Sequence, residues 1–446
     1  MQYKYPNTIP FIKIFLKSSS ITRNPIPFHK DCFDKHGDSF AISPPFSNRI
    51  LLTRDAEITK HLLRKNHRNY HKSKIQTKFL SKYVGKGLLT SSGDYWLKQR
   101  RLIQPAFHKE KLQKLVKIME GTIEKQIEDI PENKTIDSYP IMNELAFHVV
   151  AKSLFSYSSY DDTTMHRLQE IIETLQNFII REIRQPHKQW WYKVSGLVKK
   201  HMILVKESRD IINTVIDERR ESKEEHDDLL DMLLKAKYED DGTSMTNEQL
   251  IDEILIFFVA GHETSANALT FTFQLIAQHP EVYKKVMAEI NAIDDSLPPM
   301  EKIAKLNYIK NCVEESMRLY PPAWITDRVA IEDDSFAGFN IKKGTMIGIS
   351  FYELHRNSTY WKNPNDFKPE RFSDEHRKET GGYYFPFGAG PRMCIGNGFA
   401  LYEMMLTVYA MLKKYHIETD QKKIEISPLI TLKPINLTLK FTKRTA

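Results

Sequence analysis

Cysteine is scarce in this sequence of 446 residues, which contains only Cys32, Cys312 and Cys394. An odd number at wide spacing excludes a disulfide framework and a zinc cluster built from cysteine pairs. The N-terminus also lacks a long apolar run, because the patch from 9 to 16 is short and is interrupted by Lys13. We therefore expect no membrane anchor, no cleaved leader and a cytoplasmic location.

The sequence has no linker, low-complexity segment or internal repeat, although a chain of this length often contains about three domains. Apolar residues make up 41% of the chain and aromatic residues 11%, enough for a core around a cofactor. With 65 Lys and Arg against 57 Asp and Glu, the net charge is +8, which favours acidic partners. The basic residues are dispersed and no nucleic-acid-binding motif accompanies them, so nucleic acid is not an expected partner.

The most informative stretch is F-G-A-G-P-R-M-C-I-G, from Phe387 to Gly396. Its cysteine, Cys394, comes just before an apolar run from Phe399 to Leu412 that predicts a buried helix. At the start of a helix, backbone N–H groups and the positive end of the helix dipole favour a thiolate. A thiolate in this position suits ligation of haem iron.

The other residues of this stretch favour the same interpretation. Gly390 and Gly396 allow backbone that a side chain would forbid, so that a flat cofactor can approach closely. Arg392 is placed to pair with an anionic group of that cofactor. The stretch matches F-x-x-G-x-R-x-C-x-G at every fixed position, from Phe387 to the glycine after Cys394. It resembles the signature of the cytochrome P450 family.

The resemblance implies a single haem domain over residues 1–446, mainly helical with a smaller β-rich lobe. Haem b, iron protoporphyrin IX, would lie between a proximal helix and a long distal helix, with Cys394 as the axial iron ligand. We expect no fused reductase. Short alternating runs at 39–42 and 49–53 predict strands near the N-terminus.

A second motif, W-x-x-x-R, places Trp96 and Arg100 on one face of a helix that Ser92 or Asp94 would cap. In the family it resembles, such a pair hydrogen-bonds a haem propionate. Lys72 is an alternative to His71 for a further propionate contact, and a solvated basic loop explains both equally well. The resemblance implies these cofactor-binding residues: Trp96, Arg100, Arg328, Phe387, Arg392 and His71.

A third motif lies within an apolar, buried helix that begins at Asn247. Gly261 in its middle costs roughly 1 kcal/mol against alanine, and some other contribution should offset that cost. The surrounding residues resemble the family's A-G-x-[DE]-T-[TS] motif. By that resemblance, Glu263 and Thr264 are the catalytic residues that relay protons to iron-bound dioxygen, as a buried acid–alcohol pair can.

A fourth motif is structural. Glu315 and Arg318 stand three residues apart on a helix that a double proline ends, and they resemble the family's E-x-x-R pair. The resemblance adds Arg371 as the third member of a buried triad that supports the cysteine loop. Breaking such a network costs several kcal/mol because a charge is left unpaired.

Together the motifs predict a monooxygenase that inserts one oxygen atom of O2 into a C–H bond of a small-molecule substrate. Electrons would come from an acidic partner, a ferredoxin with its NAD(P)H-dependent reductase. Two alternatives are a peroxide-driven peroxygenase and a haem-based sensor or ligand-binding protein. An intact acid–alcohol pair argues against both.

The substrate is less well indicated. Fatty acids and terpenoids suit the apolar candidates, whereas the polar Thr326 and Asp327 suit a hydroxyl-rich molecule. The Lys-, Ile- and Asn-rich composition is similar to that of marine Bacteroidetes proteins, which include enzymes that demethylate 6-O-methyl-D-galactose and release formaldehyde. Oxidative O-demethylation of such a sugar is therefore a candidate reaction, with fatty-acid or terpenoid hydroxylation as the alternative. The candidate substrate-facing residues are Leu89, Val259, Ala260, Ala323, Ile325, Thr326 and Asp327.

Overall fold

The structure, a computed structural model, describes residues 3–45, 48–156, 162–222 and 224–444. Helices make up most of this part of the chain. In chain order they are α1 Phe11–Leu16, α2 Ser18–Arg23, α3 Ile26–His36, α4 Ala56–Lys60, α5 Ser81–Val84, α6 Gly93–Ile103, α7 Lys109–Gln126, α8 Ser138–Phe155, α9 Asp162–Arg184, α10 Gln189–Val194, α11 Leu197–Glu221, α12 Leu229–Lys235, α13 Asn247–Gln278, α14 Pro280–Asn291, α15 Pro299–Lys305, α16 Asn307–Leu319, α17 Phe351–Leu354, α18 Arg377–Thr380 and α19 Asn397–Lys414.

The strands are short and fall mainly near the two ends of the chain. They are β1 Thr8–Pro10, β2 Ser39–Ser43, β3 Ile50–Thr53, β4 Tyr70–His71, β5 Thr135–Asp137, β6 Ile325–Ala330, β7 Asp334–Phe336, β8 Phe339–Ile341, β9 Met346–Ser350, β10 Tyr415–Glu418, β11 Glu425–Pro428, β12 Leu432–Ile435 and β13 Thr438–Lys443. The strands predicted at 39–42 and 49–53 are confirmed as β2 and β3.

The chain forms two compact units. The first, here called the sheet unit, comprises Met1–Ser73, Glu314–Cys394 and Ile426–Ile435. The second, the helical unit, comprises Lys74–Val313, Ile395–Glu425 and Asn436–Ala446. The expectation of one domain over residues 1–446 stays a prediction.

The sheet unit is built on a mixed sheet with strand order β1-β2-β3-β9-β6-β4. β3 pairs with β9 in parallel, and β9 pairs with β6 in antiparallel register, with Arg328 opposite Ile347. Apolar side chains alternate along these strands and bury Leu51, Ile347 and Ile349 completely. The sheet therefore fixes the position of β6 and of the polar residues that it carries.

The helical unit has α13 at its centre, packed against α8 and α19. A capping box starts α13: the Thr246 hydroxyl accepts the Gln249 N–H, and the Gln249 side chain accepts the Thr246 N–H. Phe258 on α13 is fully buried, and its ring stacks on that of Phe147 on α8 at 5.6 Å between centroids. By length and mean hydropathy α13 alone, among the described helices, is able to cross a membrane, but 78% of its most apolar stretch is buried, as in a core helix.

Candidate functional site

The cysteine loop of the sheet unit is closed by its own backbone. The N–H of Cys394 donates to the carbonyl oxygen of Phe387 at 3.0 Å, and the N–H of Met393 donates to that of Gly390 at 3.0 Å. A short 3₁₀ turn, Gly390–Arg392, lies between the ends of this closure. The thiol of Cys394 is exposed, so a ligand can reach it.

The other two cysteines differ in this respect. Cys32 and Cys312 are both buried. Burial raises the pKa of the Cys32 thiol to about 11, which disfavours a thiolate there. Accessibility therefore selects Cys394 as the ligand candidate, in agreement with its motif.

The two glycines of the predicted motif have different roles. Gly390 has φ +70°, and a Cβ on it would lie 1.9 Å from the carbonyl oxygen of Leu63, so no side chain fits. Gly396 has φ −90°, and a Cβ on it would meet only Phe107, at an ordinary 3.8 Å. The expectation that the backbone itself requires glycine holds for Gly390 and is wrong for Gly396. A third position, Gly388 at φ +73°, requires glycine although the motif does not contain it.

Two arginines of the sheet unit come close enough to influence each other. Arg328 on β6 is 7% exposed and donates to the Thr326 hydroxyl at 3.3 Å and to the Asp327 carbonyl oxygen at 2.6 Å. Burial, and then the positive charge of Arg328, lower the pKa of Arg392 to about 10. Two like charges in a half-buried setting are stabilised by an anionic ligand.

The polar substrate candidates of β6 are already bonded within the protein. Asp327 Oδ1 accepts the backbone N–H of Ser73 at 3.1 Å, and the Thr326 hydroxyl accepts from the neighbouring guanidinium. Of the apolar candidates, Ala323 is exposed and Ile325 is half-buried. Both polar candidates of this strand therefore already have partners within the protein.

His71 lies on the edge strand β4 and is exposed. Its Nδ1 lies 3.0 Å from the carbonyl oxygen of Lys72, whose own side chain is buried with 8% exposure. These contacts lie within the protein, so the role of His71 as a cofactor-binding residue stays a prediction.

The predicted triad lies together within the sheet unit. Both nitrogens of a guanidinium fork, Arg318 Nε and Nη2, donate to the Glu315 carboxylate at 2.7 and 2.8 Å, with both residues fully buried. Arg371 Nε donates to Glu315 Oε1 at 3.1 Å. The remaining Arg318 donors reach backbone carbonyl oxygens at 2.7–3.0 Å. Those carbonyl groups belong to His355, Pro364 and Asp366. The Arg318 guanidinium therefore joins the Glu315 carboxylate to three backbone carbonyl groups, which is a structural role.

In the helical unit, the middle of α13 presents an accessible stripe along one side of the helix. Phe257, Gly261 and Thr264 are half-buried and Ala260 is exposed, at i, i+3, i+4 and i+7. The Thr264 hydroxyl donates to the Ala260 carbonyl oxygen at 2.8 Å and to that of Gly261 at 3.2 Å. This side of the helix is therefore accessible at its middle.

The remaining α13 candidates are buried. Glu263 is 3% exposed and Val259 is 7% exposed. A Cβ on Gly261 would lie 3.1 Å from the Val150 side chain of α8, so close helix packing already accounts for this glycine. The sequence interpretation left open what offsets the cost of this glycine, and the structure gives close packing against Val150 as one cause.

Two acidic residues of α13 bind the backbone of the loop that contains Leu89. The sequence interpretation did not identify them. The Asp252 carboxylate accepts the Lys86 N–H at 2.7 Å, and the Glu253 carboxylate accepts the Leu88 N–H at 3.0 Å. Leu89 itself is half-buried. Acidic residues inside an apolar helix were the available signal, since buried carboxylates need partners.

On α6, Trp96 is 8% exposed and Arg100 Nε donates to Gln104 Oε1 at 3.3 Å. Ser92 stands at the N-cap with an extended backbone, but its hydroxyl makes no capping hydrogen bond. The predicted Ser92 cap is therefore wrong. Asp94 lies in the first turn, where its charge favours the helix dipole.

Another residue absent from the sequence interpretation is Glu403 on α19. Its side chain is fully buried, and its Oε2 accepts the hydroxyl of Ser265, the neighbour of Thr264 on α13, at 2.6 Å. Burial raises the pKa of Glu403 to about 8, so the group is mainly protonated at neutral pH. The signal was a single acid inside the apolar run after the cysteine.

Comparison with known proteins gives the class. The family model described as Cytochrome P450 matches residues 4–441. A cyclooctat-9-en-7-ol 5-monooxygenase of Streptomyces melanosporofaciens is 30% identical over 414 residues, covering 92% of this chain and 88% of the relative. Cytochrome P450 4V2 of Homo sapiens is 30% identical, covering 83% and 76%. A pentalenene oxygenase of Streptomyces avermitilis is 28% identical, covering 81% of each.

Solved structures agree. The cytochrome P450DA heme domain superposes with a TM-score of 0.82 at 22% identity, covering 94% of this chain and 93% of that one. A second cytochrome P450, CYP102L1, gives 0.82 at 25% identity and covers 95% of each chain. These likenesses confirm the predicted fold class.

The chain belongs to the cytochrome P450 family. It is a haem-thiolate monooxygenase with haem b as its cofactor, and it requires an electron-donating partner, O2 and a small-molecule substrate.

The residues present fit that cofactor. An exposed thiol in a loop shaped by glycines offers the iron ligand. The charges of Arg328 and Arg392 fit the two carboxylates of a porphyrin. The open stripe of α13 carries no large side chain at Ala260 and Gly261.

Proposed function

We propose that this monooxygenase hydroxylates a C–H bond of an apolar, terpenoid-like substrate. The observation that carries the proposal is the engagement of Thr326 and Asp327 with Arg328 and Ser73. These were the polar groups that favoured a hydroxyl-rich substrate. With them satisfied, the remaining candidates are mostly apolar, which matches the relatives named for cyclooctat-9-en-7-ol and pentalenene.

In this proposal Cys394 would supply the thiolate ligand of the haem iron. The haem would supply the activation of O2, and a thiolate ligand favours O–O cleavage. Charge and hydrogen bonding would hold its propionates, and Phe387 accepts the Cys394 N–H through its carbonyl oxygen. The cofactor-binding residues are Trp96, Arg100, Arg328, Phe387, Arg392 and His71.

Proton supply is assigned to the middle of α13. The Thr264 hydroxyl now donates to two helix carbonyl oxygens, and a rotation about χ1 releases it to donate elsewhere. Glu263, the buried neighbour of Thr264 in the sequence, is proposed as the acid of this proton relay. Glu315, Arg318 and Arg371 have no part in the chemistry and hold the backbone that carries the cysteine loop.

The residues proposed to contact substrate are those that the sequence analysis named. Five are apolar, Leu89, Val259, Ala260, Ala323 and Ile325, and two are polar, Thr326 and Asp327. A fatty-acid substrate would need the same apolar surroundings. Its carboxylate, which a terpenoid hydrocarbon lacks, would also need a cation to pair with. O-demethylation of 6-O-methyl-D-galactose would require polar groups available to its hydroxyls, and those of β6 are bonded within the protein.

The electron donor is proposed to be an acidic ferredoxin with its NAD(P)H-dependent reductase. The net charge of +8 supports a donor of opposite sign. A cytoplasmic location stays a prediction.

The test combines a spectrum with a titration. Reduced enzyme under carbon monoxide should give the band of a thiolate-ligated haem, and Cys394→Ala should abolish it, while Cys32→Ala at a buried cysteine keeps it. Ferric enzyme is then titrated with cyclic terpenes, fatty acids and 6-O-methyl-D-galactose. We expect terpenes to shift the Soret band to high spin and to give an NAD(P)H-dependent hydroxylated product.

A thiolate band that survives in Cys394→Ala would overturn the ligand assignment. A Soret shift and formaldehyde release with 6-O-methyl-D-galactose alone would replace the proposed reaction by O-demethylation. Bound substrate without NAD(P)H or O2 consumption would favour a sensor, and turnover with peroxide only would favour a peroxygenase.

A further inference from the structure

A cluster of metal-ligating side chains lies in the helical unit, on α8 and α9. Glu144 and His148 stand at i, i+4 on α8 and so share one face, and His166 lies on α9. One ligand atom from each of the three lies within 4.8 Å of the other two. None of them belongs to the residues assigned to haem, substrate or proton supply.

The distances within the cluster suit a shared ion. Glu144 Oε1 lies 2.8 Å from His148 Nε2 and 3.6 Å from His166 Nδ1. Ligands bonded at about 2.1 Å to a tetrahedral ion are separated by comparable distances. The two imidazole rings are 5.8 Å apart at their centroids and nearly perpendicular, at 87°, so both can direct a nitrogen towards one point.

The burial of the cluster is graded. The His148 side chain is 8% exposed, Glu144 is 37% exposed and His166 is 51% exposed. An ion held there would have protein ligands on its inner side and water on its outer side. Three protein ligands with a solvent-filled fourth position is the arrangement of open zinc sites.

The Glu144 carboxylate also has a hydrogen-bond partner outside the three proposed ligands, the side chain of Gln169. The Gln169 bond also orients the carboxylate, as outer partners do in metal sites.

We propose that Glu144, His148 and His166 bind a first-row divalent transition metal ion, represented here by Zn²⁺. Two imidazole nitrogens and one carboxylate select such ions over Mg²⁺ and Ca²⁺, which prefer oxygen ligands alone. A bound ion would tie α9 to α8. The alternative is a plain His–Glu ion pair, which contributes little when exposed.

The test is calorimetric titration of the haem-loaded protein with Zn²⁺ after removal of metal by a chelator. We expect one Zn²⁺ per chain and a rise in melting temperature with Zn²⁺ in excess. His166→Ala and Glu144→Gln should each weaken binding by at least about tenfold. His187→Ala removes another exposed histidine and should leave the affinity unchanged.

Binding of Mg²⁺ or Ca²⁺ with similar heat would overturn the proposal. So would equal Zn²⁺ affinity in wild type and His166→Ala, an equal loss in His187→Ala, or no Zn²⁺ binding at all. The haem spectrum of each variant verifies that the fold is kept, so loss of binding reports the site itself.

Discussion

At the scale of single residues, Glu403 is a carboxyl group that is shielded completely from water. It is fully buried, and its other oxygen, Oε1, has no hydrogen-bond partner among the described residues. A neutral acid tolerates such a position far better than a carboxylate does. The raised pKa follows from that preference.

This predicts a stability effect with a definite sign. The folded pKa of about 8 exceeds the ordinary 4.5, so between pH 5 and 8 the unfolded chain loses a proton that the folded protein keeps. The free energy of unfolding then falls by about 1.4 kcal/mol per pH unit from this group. Glu403→Gln removes this pH dependence. The free energy of unfolding of the variant, relative to that of wild type, should therefore rise by about 3 kcal/mol between pH 5 and pH 7.5.

Denaturant unfolding at both pH values measures the difference. Glu224→Gln, at a side chain that is 83% exposed, is the control and should follow wild type. Parallel pH profiles for Glu403→Gln and wild type would show that Glu403 is ionised in the folded protein.

At the scale of elements, a glycine in the cysteine loop and a glycine at the start of α19 differ in whether the backbone requires them. Gly390 has a positive φ and faces the Leu63 carbonyl oxygen, whereas Gly396 at the start of α19 has neither constraint. The two glycines are equivalent in the motif and different in the fold.

Gly390→Ala should therefore cost at least about 2 kcal/mol, since positive φ alone costs 1–3 kcal/mol and a clash is added. Gly396→Ala should cost less than about 1 kcal/mol, because its Cβ would make an ordinary contact. Thermal midpoints and haem content of the two variants provide the measurement. A loss in Gly396→Ala as large as in Gly390→Ala would mean that something other than the polypeptide restricts that position.

At the scale of the whole molecule, the excess of positive charge bears on association. Lys109, Lys111, Lys114 and Lys117 follow each other along α7 and are all exposed. Charges of this kind steer an acidic partner at low ionic strength and are screened when salt is added.

Reduction by an acidic ferredoxin should accordingly slow by tenfold or more between about 0.02 M and 0.3 M salt. The double variant Lys111→Glu, Lys117→Glu should be slower at low salt and less dependent on salt. Stopped-flow formation of the reduced carbon monoxide complex measures both rates. A rate independent of salt in wild type would exclude electrostatic steering by this charge.

The sequence by itself determined the family, and with it the fold class and the haem. These conclusions follow from residue types at fixed short spacings, such as those from Phe387 to Gly396. Such spacings can be recognised in the sequence without knowledge of the fold. Periodicity also predicted the burial of α13 and the strands β2 and β3, because local patterns decide those elements.

Only the tertiary structure decided which partners distant residues take. In the fold, the Asp327 carboxylate accepts the backbone N–H of Ser73, and Glu403 accepts the hydroxyl of Ser265. The Val150 side chain occupies the space beside Gly261. The segment 70–83 has no clear period, yet Tyr83 is buried there against Glu182 at 2.6 Å.

The physical reason is the range of the interactions. Capping, periodicity and motif chemistry act over a few residues and are written in order along the chain. Packing, desolvation and hydrogen bonding of buried polar groups join residues more than 100 positions apart, as in Ser265 and Glu403. Their energies depend on what surrounds each group, and that is settled only when the chain has folded.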